Sequence, residues 1–141
     1  MGRVSFTDNT DKLYKSLQSN MEDTLLDVLL DVKRTASESA PHKTGNLEKG
    51  FTYSIQSKGG TLHGQVSVSA MDGGIDYAEI MHNADYNLGE QSKRKPGGKS
   101  AYAGGRIKVG KGYLSNTVET AQDGYMEAFR DTFDKTISKY N

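Results

Sequence analysis

Cysteine is absent from the chain, which excludes disulfides and thiolate metal sites. Long apolar runs are absent too, and none approaches the roughly 18 residues of a membrane span. The opening stretch MGRVSFTDNT lacks the apolar centre of a signal peptide. Met1-Gly2 does not start an acylation signal, because Phe6 stands where Ser or Thr is required. Net charge is zero, with 18 basic and 18 acidic residues. Hydrophobic residues are only 34% of the 141 positions, on the low side for a self-sufficient globule. These shortages predict one domain, residues 1–141, with a thin core that assembly supplements. They also place its working life inside a cell, or in something assembled there.

Catalytic patterns are scarce. His42, His63 and His82 are far apart and make no metal-ligand spacing. No nucleophile elbow or Walker loop occurs. The glycines around Gly97 and Gly104 are not followed by a helix start. Carboxylates such as Asp72 and Asp76 pair only on paper. The expectation is a protein that is not an enzyme and carries no cofactor and no metal.

What the chain does have is a glycine-rich segment of concentrated positive charge, Gln91 to Gly112. It holds Lys93, Arg94, Lys95, Lys99, Arg106, Lys108 and Lys111, and no acidic residue. Removing these seven leaves 11 basic against 18 acidic residues, so the segment is +7 and the rest is −7. Such a loop cannot build a core of its own, and its charge seeks DNA, a neighbouring subunit's acidic face, or water. Glycine and like-charge repulsion predict that it is extended and fluctuating in the free protein.

Around it the periodicity predicts an α+β domain. Leu13, Leu17, Met21, Leu25, Val28, Val32 and Ala36 recur at steps of three or four, giving a helix over about 11–38. Asp8, Asn9 or Thr10 caps its start, and Ala40-Pro41 ends it. Between Leu25 and Val32 it is apolar on more than one face. Asp23, Asp27 and Asp31 form an acidic stripe on it, either solvated or waiting for a basic loop from a neighbour. Strands within about 50–82 alternate Phe51, Tyr53, Ile55 and then Leu62, Val66, Val68, with a turn at Lys58-Gly59-Gly60. His63 falls on the exposed face. An antiparallel sheet of three to five strands follows, with a further short strand around Ile107 and Val109. The aperiodic, basic stretch spans about 86–112. Val118, Ala121, Tyr125, Phe129, Phe133 and Ile137 predict a second long helix over about 114–139, capped by Ser115 or Asn116 and weakened at Gly124.

In this order the motifs resemble the head–tail joining, or tail-completion, proteins of long-tailed double-stranded DNA bacteriophages. Four places carry the resemblance: Ala40-Pro41-His42-Lys43-Thr44-Gly45-Asn46-Leu47, Asp76-Tyr77-Ala78-Glu79-Ile80-Met81-His82, Tyr86-Asn87-Leu88-Gly89, and Val109-Gly110-Lys111-Gly112-Tyr113-Leu114. The chain departs from that family's pattern at Asn83, often acidic, and at Tyr113, often Phe. The resemblance implies structural roles. Pro41, Thr44, Gly45 and Leu47 would form a turn. Tyr77 and Ala78 would pack under the loop that Gly89 opens and Gly110 closes. Tyr113 and Leu114 would anchor the last helix. It further implies a virion component assembled in the bacterial host cytoplasm, without membrane contact. It would be a homo-oligomeric ring, sixfold or alternatively twelvefold, between head-connector and tail-tube or terminator proteins. Packaged DNA would run through its lumen. The competing reading is a small nucleic-acid-binding protein that uses the loop 91–112. Against it stand the zero net charge and a single aromatic, Tyr102, in the loop.

Overall fold

The computed structural model describes residues 10–140. Asp8 and Asn9, two of the cap candidates, lie outside them. Helix α1 runs Thr10–Ser39, one residue longer at each end than the periodicity predicts. At roughly 1.5 Å per residue it is about 45 Å long and forms the spine of the domain. Gly45 then reverses the chain at φ 86°, a left-handed conformation that glycine adopts without steric cost. A single turn, α2 (Asn46–Lys49), leads into the first strand.

Strands β1 (Phe51–Lys58) and β2 (Thr61–Val68) are antiparallel, in register from Phe51 opposite Val68 to Lys58 opposite Thr61. Gly59 and Gly60 join them at φ 59° and 80°, the pair of positive values that a two-residue turn of matching twist requires. Phe51, Tyr53 and Ile55 share a face with Val68, Val66 and Gly64, and α1 packs against this hairpin. Thr52, Ser54 and Gln56 share the other face with Ser67, Gln65 and the exposed His63.

A second hairpin follows, β3 (Met71–Asp72) and β4 (Ile75–Asp76), then helices α3 (Ala78–Asn83) and α4 (Glu90–Lys93), and last α5 (Ser115–Ser138). The four strands make two separate pairs, not the single sheet of three to five that alternation suggests. The Asp76 carboxylate is one reason. It accepts hydrogen bonds from Ser69 Oγ and from the N–H groups of Ala70 and Ala78. That bends the chain into α3 after two strand residues. Around Ile107 the expected strand reduces to one bridge between Lys99 and Arg106. No helix among the described residues is long and apolar enough to cross a membrane.

The core is thin and built largely from small residues. One cluster gathers Ala36, Ala40, Leu47, Phe51, Ala70, Ala78 and Tyr113. The other gathers Val28, Val32, Ala121 and Tyr125. Helices α1 and α5 run antiparallel, and polar contacts line their seam. Ser16 Oγ meets Tyr140 OH at 2.7 Å, Asn20 Nδ2 donates to Thr136 Oγ1 at 3.0 Å, and Thr24 Oγ1 meets Thr132 Oγ1 at 2.6 Å. Helix α5 therefore buries Thr117, Ala121, Tyr125 and Thr136. Val118 and Phe133, expected inside, are 42% and 45% exposed, as is Met126 at 47%. The apolar periodicity is real, but the threonines beside it face α1.

Gly124 shows how closely the chain packs on α5. A Cβ there would sit 1.9 Å from the Tyr102 carbonyl oxygen. In an isolated helix alanine is favoured over glycine by about 1 kcal/mol. Here Gly124→Ala is expected to destabilise by about 1–3 kcal/mol, because the 91–112 segment must lift away. Urea unfolding checks the sign, and a more stable variant would contradict the packing.

Candidate functional site

The basic segment is seated on α1 and α5 rather than extended into solvent, and an acidic side chain holds it there. Asp31 is 6% exposed. Its Oδ2 accepts from Ser100 Oγ and from Tyr125 OH, both at 2.5 Å. Its Oδ1 accepts from the Ala101 N–H and from the Arg34 guanidinium, both at 2.9 Å. One carboxylate thus ties α1 to the segment and to α5. Burial alone would raise its pKa, but the bonds from Ser100, Tyr125, Ala101 and Arg34 outweigh it and hold the carboxyl below its ordinary value. Burial and the Asp31 bond push the Tyr125 hydroxyl well up, so it stays a donor.

A second anchor lies at the end of α1, where the last carbonyls of a helix have no intrahelical donor. The last turn of α1 carries no basic residue. Lys95 supplies one from the segment: its Nζ donates to Ala40 O, to Ser37 O at 3.3 Å, and pairs with Glu48 Oε2 at 3.3 Å. Gly110 N–H donates to Ser39 O at 3.0 Å, and Gly98 N–H to Ser39 Oγ at 2.9 Å. A Cβ on Gly98 would lie 2.2 Å from Thr35 O. Glycine here provides close approach, and that is why a segment expected to fluctuate is seated.

The seven cations therefore divide. Lys95 is structural. Lys111 pairs with Asp85 at 2.9 Å, Lys93 with Glu90 at 3.7 Å, and Arg106 donates to Gly97 O at 3.2 Å. Arg94, Lys99 and Lys108 are exposed and make no ion pair among the described residues. The acidic stripe divides too. Asp23 and Asp27 are exposed, while Asp31, offered as an inter-subunit candidate, is consumed within its own chain. The physical reason is proximity. The segment folds back over α1 at that turn and supplies two donors, Ser100 and Ala101, beside those of Tyr125 and Arg34.

The four places behind the family resemblance meet in space. Buried Tyr113 donates its hydroxyl to Ala78 O at 2.7 Å and stands edge-on to His82, 5.0 Å between ring centres. Gly112 N–H donates to His82 O at 2.8 Å. The His82 ring also caps α5, since Ser115 N–H donates to its Nε2 at 3.2 Å. Neither Ser115 nor Asn116 caps the helix with its own side chain. Tyr86 OH donates to Met81 O at 2.6 Å. Pro41, Leu47 and Ala78 are buried, Tyr77 and Leu114 are half-buried, and Thr44 and Gly89 lie at the surface. Between these segments lies a cleft of about 470 Å³, mostly apolar, floored by Leu47, Tyr77, Met81 and Leu88. At its side His42 Nδ1 sits 2.5 Å from Glu48 Oε1. No group of three or more His, Asp or Glu side chains among the described residues is arranged to hold a metal.

One feature escaped the sequence reading although its spacing is plain. Glu119, Asp123, Glu127 and Asp131 recur every four residues along exposed α5, with Asp134 beside them. From 119 to 134 there are five acidic residues and one basic, Arg130, a net −4.

Two outcomes test the Asp31 anchor. Asp31→Ala leaves four donors without their acceptor and is expected to cost roughly 2–4 kcal/mol in urea unfolding. Asp31→Asn tests the charge. A carboxyl held low when folded stabilises fully above its unfolded value, and that contribution fades as pH falls through the folded value. The gap in melting temperature between wild type and Asp31→Asn should therefore be full at pH 7 and shrink below about pH 4. A gap independent of pH would mean that the charge contributes nothing.

No protein-family model matches this chain, and no curated protein or solved structure matches it either.

Proposed function

We propose that this protein is a structural adaptor of a long-tailed double-stranded DNA bacteriophage, a ring-forming subunit that joins head to tail. The observation that carries the reading is the convergence around Tyr113. Four segments separated in sequence, 40–47, 76–82, 86–89 and 109–114, meet there: the Tyr113–Ala78, Gly112–His82 and Ser115–His82 bonds join the second to the last, Tyr86 bonds to Met81, and Ala40 and Leu47 share a core cluster with Ala78 and Tyr113. Their shared work in the fold is to fix the entry of α5 and the base of the basic segment. That is what residues of a scaffold do. Binding then falls to the surface. The thin core, the exposed Leu30, Tyr53, Met71, Ile75, Met126 and Phe133, and the segregation of charge all favour a subunit completed by neighbours.

A second reading has one observation in its favour. Arg94, Lys99 and Lys108 are exposed cations without an ion pair among the described residues, as a phosphate-binding face would be. Native mass measurement with and without duplex DNA separates the two. A discrete ring without DNA fits the adaptor, and a DNA-dependent shift of a monomer fits the nucleic-acid protein.

The decisive experiment is genetic. Particles made without this chain should accumulate as filled heads and finished tails that do not join, visible by electron microscopy. Normal yields of joined particles would end the proposal. In the same assay Arg94→Gln, Lys99→Gln and Lys108→Gln together should leave melting within about 0.5 kcal/mol of wild type, because exposed charges contribute little to folding. Joining should fall. Lys95→Gln should instead lower the melting temperature, since that residue caps α1.

A further inference from the structure

The outer face of α5 carries two features that no other described residue of the chain covers or pairs with. Val118, Met126 and Phe133 are exposed on it. Beside them runs the acidic row of Glu119, Asp123, Glu127, Asp131 and Asp134, none of which pairs with a cation among the described residues. Two shallow depressions meet there and share Met126, Arg130 and Asp134. One is apolar, with Met21, Phe129 and Phe133; the other is acidic, with Asp123, Glu127 and Asp131. Like charges four residues apart on a helix repel, and exposed phenylalanine and methionine gain nothing from water. A ligand that relieves both has cations on apolar stems.

The same chain displays such a surface elsewhere. Lys99 and Arg106 are brought side by side by their bridge, and Lys108 and Arg94 are exposed on the same seated segment. Among the described residues no ion pair joins this basic face to the acidic row of its own α5. Tyr102 lies against Gly124 and stacks edge-on with Tyr125 at 5.3 Å, which are on the half of α5 that faces inward. The acidic row and Met126 are on the outward half.

We propose that the basic face of one copy docks on the outer face of α5 of a second copy. The aliphatic stems of Lys99, Arg106 and Lys108 cover Met126 and Phe133, and their charged ends meet Glu119, Asp123 and Glu127. Two different patches make the contact heterologous, so each copy offers both a donor face and an acceptor face, and repetition gives a ring or a filament. The proposal names the interface of the ring reading and depends on that reading only for closure.

The absence of cysteine makes the test clean. Full-length single-cysteine variants Glu127→Cys, Lys99→Cys and His63→Cys are mixed in pairs under mild oxidation, and disulfide-linked dimers are followed with time. Both test positions are exposed and their side chains make no bond among the described residues, so the variants are expected to fold; Glu119→Cys with Lys108→Cys repeats the test. The Glu127→Cys and Lys99→Cys pair should link roughly tenfold faster than either variant with itself or with His63→Cys, through its raised effective concentration. That preference should fall as salt rises. Equal rates for all pairs would overturn the interface and leave the ring reading standing. So would a basic face that takes duplex DNA while Glu127→Cys stays unlinked. The double variant, Lys99→Cys with Glu127→Cys, then tests closure. A ladder ending in one closed species supports both ideas, whereas an open-ended ladder keeps the interface and overturns the ring.

Discussion

A carboxylate taken out of water costs several kcal/mol unless donors replace its hydration shell. At Asp31 the replacement comes from Arg34 of α1, Ser100 and Ala101 of the basic segment, and Tyr125 of α5. No one of these elements suffices. The burial of Asp31 is therefore a test of whether the three are assembled correctly, and a partly assembled site is penalised more than an empty one. The Asp31–Arg34 pair adds less than its 2.9 Å length suggests, because Arg34 is 47% exposed in its side chain and water screens it. The uncharged donors carry the anchor. They also seat a glycine-rich, like-charged stretch against α1 and α5. The ordering entropy is offset at a few strong points, Asp31 and Lys95, and by the backbone approaches at Gly98 and Gly124.

The seam between α1 and α5 follows a similar logic. Its rungs are Ser16–Tyr140, Asn20–Thr136 and Thr24–Thr132, with Asp31–Tyr125 at the far end. Hydrogen-bonded rungs contribute about 1 kcal/mol each at best, less than buried leucines would. They do, however, fix register, since a slip by one turn breaks these contacts between the helices. With small and polar residues spent inside, the large apolar residues of α5 are turned outward. The thin core and the exposed Met126 and Phe133 are one fact seen from two sides.

Much of the architecture was legible in the sequence. Helix α1 ends where Ala40-Pro41 says it must, and Gly45 has the positive φ its place between helix and strand implies. The alternation of β1 and β2 put His63 on the exposed face. Other features were not legible, for identifiable reasons. An acidic residue every four positions looks the same whether solvated or, like Asp31, enclosed by a distant loop. Thr117, Thr132 and Thr136 are not counted as apolar, so the buried face of α5 was assigned to its neighbours Val118 and Phe133. Glycine chosen for flexibility and glycine chosen for contact, as at Gly98 and Gly124, are the same letter. The division of the cations into Lys95 at a helix end and Lys99 in solvent needs the fold, because both sit in one uniform basic run. The acidic row of α5 is legible from its four-residue spacing alone.

That division of charge bears on affinity as much as on stability. A flexible basic loop must be ordered when it meets a partner, and the ordering is subtracted from the binding free energy. Here Asp31 and Lys95 complete the ordering during folding, so Arg94, Lys99 and Lys108 are presented on a fixed base and lose only side-chain freedom on contact. The same cations then serve two ends. They are too exposed to stabilise the monomer, and their stems and charges are still available to an apolar, acidic surface. A subunit built this way keeps its folding energy and its binding energy in separate residues. Under the proposed docking, changing Lys99 would alter what the chain joins, whereas changing Lys95 would alter whether it stands.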